Sequence, residues 1–511
     1  MGSTMQGSRS FGRITAQFTT QFAARIVVPA FAVAVSLPVH AQKAGSNEEA
    51  VKRHFATLVG TPARAAELTM FMTMLPKGGD LHHHYSGAIY AEQYLEWVDK
   101  EGYCVSKSTF RITTDKAQLE AERAKPAPLR TCVSGADLVA DNNAYRQLLQ
   151  KWSTLDFYNH SQDQVPPDQT FFDTFGYFGP VASTNTNAGL KTLKDRAIAE
   201  NLSYIETIFE LAPITPDADF DKLIAAPGFD PARLDAALAA LTAKLEGNPA
   251  FARGIADYVA NVEKSSAGID DDRFTMRYQP YVLRFLSPSI VYSQMLASFK
   301  LAQANPLIVG VNIVGQESLN VSMRDYSLYM KMFRFLKEKY PDVKTALHAG
   351  ELKLGIVPPE GLTFHIAEAV GIAGANRIGH GIDIAHEKDA LGVMKTMRER
   401  RVPVEVNLTS NEFILGVKNG AHPVELYRRY GVPFVLSTDD AGVTRHSLSN
   451  EYVLFASRYK TDYAEVKKLS YDSIRYAFLA DADKQRLLKQ LDARFAKFES
   501  DIAGAAARAA R

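Results

Sequence analysis

Two adjacent carboxylates, Asp439 and Asp440, follow the apolar run 432–436, which reads as a buried strand. Carboxylates in this position repel each other and lose hydration, so they need a metal, a substrate hydrogen bond or a helix N-terminus. Taken alone, capping of the next helix is the commoner use of Asp after a strand. Other stretches of the chain shift the balance towards chemistry.

Histidines supply the matching ligands. His82 and His84 stand two residues apart, so on an extended strand their side chains point to the same side. His348 ends a later strand-like run. Three neutral imidazoles with Asp439 suit zinc and leave a position open for water. A single histidine at one of these places would more often be structural, and His83, facing the other way, is expected to pack in the core.

Two proton-transfer candidates and an aromatic stretch accompany this set. Glu351 and His380 lie outside the four ligands, so both are free to move protons. The alternative for His380 is a fifth ligand or a contact behind a ligand. The stretch 171–178 is dense in aromatic residues. Core packing is its simpler explanation, and an apolar wall over a pocket is its functional one.

Strand ends far apart in sequence must be brought together by the fold. Strand-like runs alternate with helical stretches, and eight of them occur at residues 81–84, 202–209, 277–285, 307–314, 343–348, 377–380, 402–408 and 432–438. This pattern predicts an α/β fold, a (β/α)8 TIM-type barrel with an N-terminal helical extension and a small cysteine-bearing insertion. Such barrels carry their active sites at the C-terminal ends of the strands.

Composition fits a large globular protein. The 511 residues are 46% apolar, and 58 basic against 57 acidic side chains give no reason to expect nucleic acid or an anionic membrane as partner.

The tail is a charged, Ala-rich helix, expected to be an exposed extension or an oligomer contact. The predicted segments are a signal peptide at 1–41, the helical extension at 42–75, the barrel at 76–480 with the insertion at about 101–140, and a C-terminal helix at 481–511.

The N-terminal region predicts export. Arginines precede the apolar run 26–37, and Val39 and Ala41 suit a signal-peptidase cut after Ala41. The run is too short for a comfortable membrane span, although an anchor is the alternative, and residues 1–4 have the character of a vector scar. We therefore expect a periplasmic or secreted protein.

The chain has two cysteines, Cys104 and Cys132. In an exported protein such a pair is more often a disulfide than two free thiols. It would close a local excursion that contains a plausible strand at 110–114, and contribute roughly 3 kcal/mol by the loop-entropy argument.

Taken together, the motifs resemble the adenosine deaminase family of zinc-dependent amidohydrolase barrels. The resemblance covers roughly residues 75–452 and rests on the stretches 76–84, 315–317, 348–351, 377–381, 405–411 and 437–440. The long N-terminal region and the cysteine-bearing excursion resemble the secreted, growth-factor-like branch. The P-C-x-x-C pair of the zinc deaminases that act on nucleic-acid bases is absent from the sequence.

This resemblance implies hydrolytic deamination of adenosine or 2′-deoxyadenosine to inosine or 2′-deoxyinosine and ammonia, with one Zn²⁺ per chain. It implies that a protonated Glu351 donates a proton to the purine ring and that His380 orients water or takes its proton. Asp440 would bond a ring nitrogen on the imidazole side. The backbone at Gly315 would approach the pyrimidine edge, where a Cβ would interfere.

Three departures from the family pattern concern specificity. Ser86 and Asn312 stand where the family has Asp, and Ile208 replaces a commonly basic residue. We expect them to alter sugar-side contacts, so a modified or 5′-altered nucleoside is an alternative substrate. A nucleotide is disfavoured because no Arg/Lys cluster stands beside the motifs.

Two broader alternatives are a deaminase of another aminopurine and a nucleoside-binding or signalling protein with little turnover. We expect a small-molecule nucleoside as partner, no nucleic acid, and no membrane after processing, and a homodimer is left open.

Overall fold

The computed structural model describes residues 39–159 and 165–509. Contacts divide the chain into Met1–Lys43 and Ala44–Arg511, and the second unit contains the whole barrel. Nearly all of the predicted signal peptide at 1–41 lies outside the described residues. Within the described part of the chain, no helix is long and apolar enough to cross a membrane. The predicted segment boundaries stay predictions.

The structure has the strands β1 Gly78–His84, β2 Cys104–Ser106, β3 Ile112–Thr113, β4 Cys132–Val133, β5 Leu202–Leu211, β6 Thr275–Leu283, β7 Val311–Val314, β8 Thr345–Ala349, β9 Arg377–His380, β10 Val404–Val406 and β11 Phe434–Leu436. Eight of them are parallel and form the barrel, in the order β1-β5-β6-β7-β8-β9-β10-β11, so each barrel strand neighbours the next one along the chain. This architecture confirms the predicted fold class.

The first and last barrel strands are joined at the residues singled out for chemistry. The Asp439 backbone N–H donates to the His82 carbonyl at 2.8 Å, and the His84 N–H donates to the Asp439 carbonyl at 3.1 Å. Two metal-ligand candidates from opposite ends of the chain are thereby fixed to each other by main-chain bonds.

Helices cover the outer face of the barrel, so its strands are buried along nearly their whole length. The α-helices are α1 Val39–Leu58, α2 Ala65–Met74, α3 Tyr85–Ala88, α4 Ala91–Lys100, α5 Lys116–Ala124, α6 Gly135–Ala140, α7 Asn142–Trp152, α8 Pro167–Ala182, α9 Thr186–Ala199, α10 Ala218–Ala225, α11 Leu234–Glu246, α12 Pro249–Ser265, α13 Pro288–Ala304, α14 Asn320–Lys339, α15 His365–Gly371, α16 Ala390–Arg400, α17 Leu408–Leu415, α18 Val424–Tyr430, α19 Ala441–Thr444, α20 Leu448–Arg458, α21 Tyr463–Arg475 and α22 Asp481–Ala509.

The cysteine-bearing insertion is a small antiparallel sheet with the order β3-β2-β4. Cys104 opens β2, Cys132 opens β4, and the two form a disulfide with Cα atoms 5.4 Å apart. The strand expected at 110–114 is shorter, because only Ile112–Thr113 pairs with β2.

The C-terminal helix differs from its expectation. Instead of standing exposed, α22 buries an apolar face made by Leu487, Leu491, Phe495, Phe498 and Ile502. Their spacing of three or four residues is that of one helix face. Phe498 lies 5.1 Å from the Phe71 ring of α2, so the N-terminal and C-terminal helices pack together.

Candidate metal and active site

Four predicted ligands meet at the C-terminal mouth of the barrel. Ligand atoms of His82, His84, His348 and Asp439 all lie within 4.8 Å of one another. Asp439 Oδ1 is 3.4 Å from His82 Nε2 and 3.2 Å from His84 Nε2, and the Nε2 atoms of His84 and His348 are 3.2 Å apart.

These separations fit a shared cation. Donor atoms placed 2.0–2.1 Å from a zinc ion in a tetrahedron lie roughly 3.3–3.4 Å apart. The buried His82 Nε2 has no hydrogen-bond partner among the described residues, which is the state expected of a nitrogen reserved for a metal. The residues therefore form a candidate metal site whose donor set suits zinc.

The outer nitrogens of two ligands are held from behind. His82 Nδ1 lies 2.7 Å from Glu405 Oε2, and His348 Nδ1 lies 2.8 Å from Asn312 Oδ1. Both acceptors favour the tautomer with the proton on Nδ1, which leaves Nε2 free to face the metal. One ligand is thus supported by a carboxylate and the other by a neutral amide.

A buried polar chain connects these two supports beneath the site. Asn312 Nδ2 donates to Gln279 at 3.1 Å, and Gln279 Nε2 donates to Glu206 at 2.7 Å. Arg377 then bridges the two glutamates, donating to Glu206 and to Glu405 at 2.5 Å each. All of these side chains are at most 1% exposed. The network compensates the buried charges and fixes the two histidine ligands relative to each other.

The adjacent aspartates have different surroundings. Asp439 and His380 both have positive φ, 61° and 68°, in a region that non-glycine residues rarely adopt and that is enriched at functional sites. Asp440 Oδ1 is buried without a hydrogen-bond partner in the described chain. A Cβ at Gly87 would lie 1.5 Å from that oxygen, so the glycine makes room for the carboxylate.

Glu351 and His380 stand together beside the ligands. Glu351 Oε1 is 3.5 Å from His380 Nδ1, and His380 Nε2 is buried with no hydrogen-bond partner in the described chain. The Glu317 carboxylate accepts the backbone N–H groups of Gly350 and Glu351 at 3.1 and 3.0 Å. Glu317 therefore fixes the turn that presents the Glu351 side chain.

Burial and neighbouring charges give these groups different protonation states. Burial raises the pKa of Glu351 well above its ordinary value, and the neighbouring charges of Asp439 and Glu317 raise it further. Burial lowers the pKa of His380 to about 3. Burial would raise the pKa of Asp439, but the His82 and His84 imidazoles beside its carboxylate hold it well below its usual range. An acid, a neutral imidazole and a carboxylate thus stand side by side.

These groups open into a cavity of about 460 Å³. Its polar floor is formed by His84, His348, Glu351, His380, Asp439 and Asp440. Its apolar wall includes Phe171, Phe172, Phe175, Ile208, Phe285 and Leu319. The aromatic stretch at 171–178 therefore contributes to both the core and the cavity: Phe178 is buried, whereas Phe172 and Phe175 are half-buried and line the wall.

The predicted site residues thus come together, with one correction. Gly315, whose φ is 97°, lines the cavity. Ser86 and Ile208 also line it. Asn312, expected to affect sugar-side contacts, instead lies behind His348 and outside the cavity lining, so it bears on a metal ligand. His83 is buried against Thr207, as expected of a packing residue.

Sequence reasoning did not find the supporting roles of Glu405, Asn312 and Glu317. The available signal was a polar side chain inside an apolar strand, as in Val404-Glu405-Val406. Such a residue must find a partner in the barrel interior, and there the partners are the metal-ligand candidates.

Comparison with known proteins finds the same family resemblance as the sequence motifs. The adenosine deaminase family profile matches residues 255–494, which include five of the six floor residues. Haemophilus ducreyi adenosine deaminase is 30% identical over 189 residues, covering 37% of this chain and 50% of that protein. Clostridium acetobutylicum adenosine deaminase is 32% identical over 151 residues, covering 29% of this chain and 42% of that protein. The chain spans about half the length of these curated relatives. The predicted resemblance to the adenosine deaminase family is confirmed.

Solved structures support the fold. Arabidopsis N6-mAMP deaminase superposes with a TM-score of 0.52 at 19% identity, covering 83% of this chain and 99% of that one. A Burkholderia ambifaria amidohydrolase with bound Zn superposes with a TM-score of 0.50 at 17% identity, covering 85% and 94%. The family profile begins at residue 255, after the first two barrel strands, β1 and β5, whereas each superposition covers more than four-fifths of the chain.

Proposed function

We propose that this protein is a zinc-dependent hydrolase that deaminates adenosine and 2′-deoxyadenosine to inosine and 2′-deoxyinosine with release of ammonia. The observation that carries the proposal is the meeting of three imidazoles and Asp439 with Glu351 and His380 at one cavity floor. Separations of 3.2–3.4 Å between the donor atoms of these side chains support a single small cation there.

His82, His84, His348 and Asp439 would hold the zinc ion. When bound, zinc would supply a water acidic enough to lose its proton near neutral pH. His380 is suited to orient that water or take its proton, because its Nε2 is buried, unpartnered and neutral.

Glu351 is suited to protonate the purine. Addition of water at the carbon that bears the amino group moves an electron pair onto the adjacent ring nitrogen. A carboxyl group kept protonated by burial can donate its proton to that nitrogen. Loss of the amino group as ammonia then completes the hydrolysis of a cyclic amidine C–N bond.

Asp440 and Gly315 would orient the base. The unpartnered Asp440 Oδ1 offers an acceptor for a ring nitrogen, or a donor when protonated, since burial and the adjacent Asp439 raise the pKa of Asp440. At Gly315 the lack of a side chain lets the backbone approach the ring. A Cβ there would lie 2.8 Å from the Phe285 ring and would intrude into the same space.

The second candidate is the same chemistry on another aminopurine or a modified nucleoside. It is favoured by Ser86 and Ile208, which line the cavity where the family carries charged residues. A binding or signalling role without turnover is disfavoured because the acid, the neutral imidazole and the ligand set are all assembled.

A product assay on zinc-loaded protein separates these readings. Adenosine, 2′-deoxyadenosine, adenine and other aminopurines are incubated separately, and the deaminated product and ammonia are quantified. We expect turnover of the two nucleosides with equal yields of product and ammonia. Turnover of a different aminopurine alone would favour the second candidate. Tight nucleoside binding without any product would favour the binding role.

Export is proposed on separate grounds. The basic and apolar pattern of residues 1–41 is that of a signal peptide, and a disulfide in the insertion suits an oxidising compartment. N-terminal sequencing of protein expressed with its natural leader should give Gln42 as the first residue. Retention of the leader on a cytoplasmic, reduced protein would contradict export.

A further inference from the structure

The apolar wall is larger than a purine ring needs. Phe172 and Phe175 are half-buried on α8, and two further lining residues, Phe285 and Leu319, are each 39% exposed. Large apolar side chains exposed at a cavity rim mark a surface for an apolar ligand. Nothing in the reaction at the floor requires them.

The wall also lacks the groups that would hold a charged substituent. Among the described residues, no lysine or arginine lines the cavity. Arg284, a nearby guanidinium only 1% exposed, donates through Nη2 to the backbone carbonyls of Ile313 and His348 and lies 3.4 Å from the Glu317 carboxylate. A phosphate group in this cavity would lose its hydration without gaining a cation.

Ser86 places a neutral hydroxyl, and not a carboxylate, at the part of the cavity expected to face the sugar. It lies two residues beyond His84 and lines the cavity, where the resemblance places an aspartate that contacts the sugar. A neutral hydroxyl forms a weaker hydrogen bond than a carboxylate, so the site gains less from a free sugar hydroxyl. Ile208, 1% exposed, extends the apolar surface where the family commonly has a basic residue.

We infer that the apolar wall is a binding subsite for an apolar group on the 5′ carbon of the nucleoside. The preferred substrate class would be 6-aminopurine nucleosides in which an alkyl or alkylthio group replaces the 5′-hydroxyl. This inference rests on the proposed function, because the base must lie on the floor for the sugar to reach the wall. Phe285, packed beside Gly315, links the two surfaces.

The test compares kcat/KM of zinc-loaded full-length protein for adenosine, 5′-deoxyadenosine, 5′-methylthioadenosine and AMP. We expect 5′-methylthioadenosine to exceed adenosine by about 10-fold, because one or two extra apolar groups discriminate by that amount. AMP should be the poorest substrate. A higher kcat/KM for adenosine than for both 5′-altered nucleosides would overturn the subsite while leaving the proposed function intact. Absence of turnover with every nucleoside would overturn both.

Variants locate the effect on the wall. Leu319→Ala should lower kcat/KM for 5′-methylthioadenosine several-fold more than for adenosine, whereas Leu391→Ala, a leucine 60% exposed on α16, should change neither. Ser86→Asp should shift the preference towards adenosine, and Ser86→Ala should not. Equal effects of Leu319→Ala on both substrates would contradict the subsite.

A binding measurement keeps the inference testable if a variant fails to fold. Product inhibition of the unmodified protein by 5′-methylthioinosine should be about 10-fold tighter than by inosine, since the two differ only at the proposed subsite. Equal inhibition constants would overturn the inference.

Discussion

The floor and the wall of the cavity differ in how their side chains are held. On the floor, His348 is fixed by Asn312 at 2.8 Å, and the Glu351 backbone is fixed by Glu317 at 3.0 Å. On the wall, Phe285 and Leu319 are each 39% exposed, so neighbouring atoms pack against only part of each side chain. The floor is built at strand ends, whereas most of the wall comes from helix α8 and loops, with Ile208 of β5 as the exception.

This difference separates reaction from specificity. Catalytic groups must be held to within a fraction of an ångström, which requires rigid strands and a second layer of hydrogen bonds. A wall of rim side chains can change with little effect on the floor. Substitutions on the floor should therefore abolish turnover or weaken metal binding, and those on the wall should change only the affinity for substrates and the choice among them.

The largest effect is expected from loss of a ligand. Asp439→Ala or His348→Ala should remove bound zinc and lower turnover by more than the ~10⁴-fold upper range of one acid–base group. Metal analysis by mass spectrometry and a deamination assay check both outcomes. His386→Ala, an exposed histidine, is the matched control and should keep its zinc. Full zinc occupancy in the ligand variants would refute the ligand set.

The next largest effect is expected when Glu351 can no longer act as an acid. Glu351→Gln keeps the shape of the side chain but cannot donate the proton, so turnover should fall at least ~10²-fold with zinc retained. The exposed Glu360→Gln is the matched control and should keep full turnover. If the Glu351 variant turns over as fast as the parent protein, Glu351 is not the proton donor.

The barrel and the floor could be predicted from sequence because each signal is local. A strand such as β8 Thr345–Ala349 is an apolar run that ends in its functional residue, and the His82/His84 spacing fixes a shared direction. The polar chain from Asn312 to Glu405 could not be predicted, because it links β5, β6, β7, β9 and β10 through contacts across the barrel interior. The helix α12 also escaped prediction, although Asn248 as N-cap and Pro249 at the first helical position are a recognised start signal for its 17 residues.

A smaller effect should follow from loosening the support behind a ligand. Asn312→Ala removes the acceptor of His348 Nδ1–H, so zinc affinity should fall by roughly 10–100-fold. Asn312→Asp restores an acceptor and should restore tight binding. Zinc affinity is measured by competition with a chelator. Equal affinities for the parent and Asn312→Ala would show that the amide does not orient the ligand.

The smallest effect should come from the wall. Phe285→Ala should raise KM for adenosine by about 10-fold or less and leave kcat and zinc content unchanged, because a packing contact stabilises ground and transition states alike. Tyr430→Ala, an aromatic residue 37% exposed on α18, is the control. A loss of zinc or a large fall in kcat in the Phe285 variant would erase the distinction between floor and wall.

The central claim is that the floor uses zinc to deaminate adenosine. Chromatographic analysis of adenosine incubated with protein carrying one zinc per chain tests it most directly. We predict inosine and ammonia in equal amounts, and no inosine from protein stripped of metal by a chelator. Unchanged adenosine and 2′-deoxyadenosine in the presence of fully zinc-loaded, folded protein would contradict the claim.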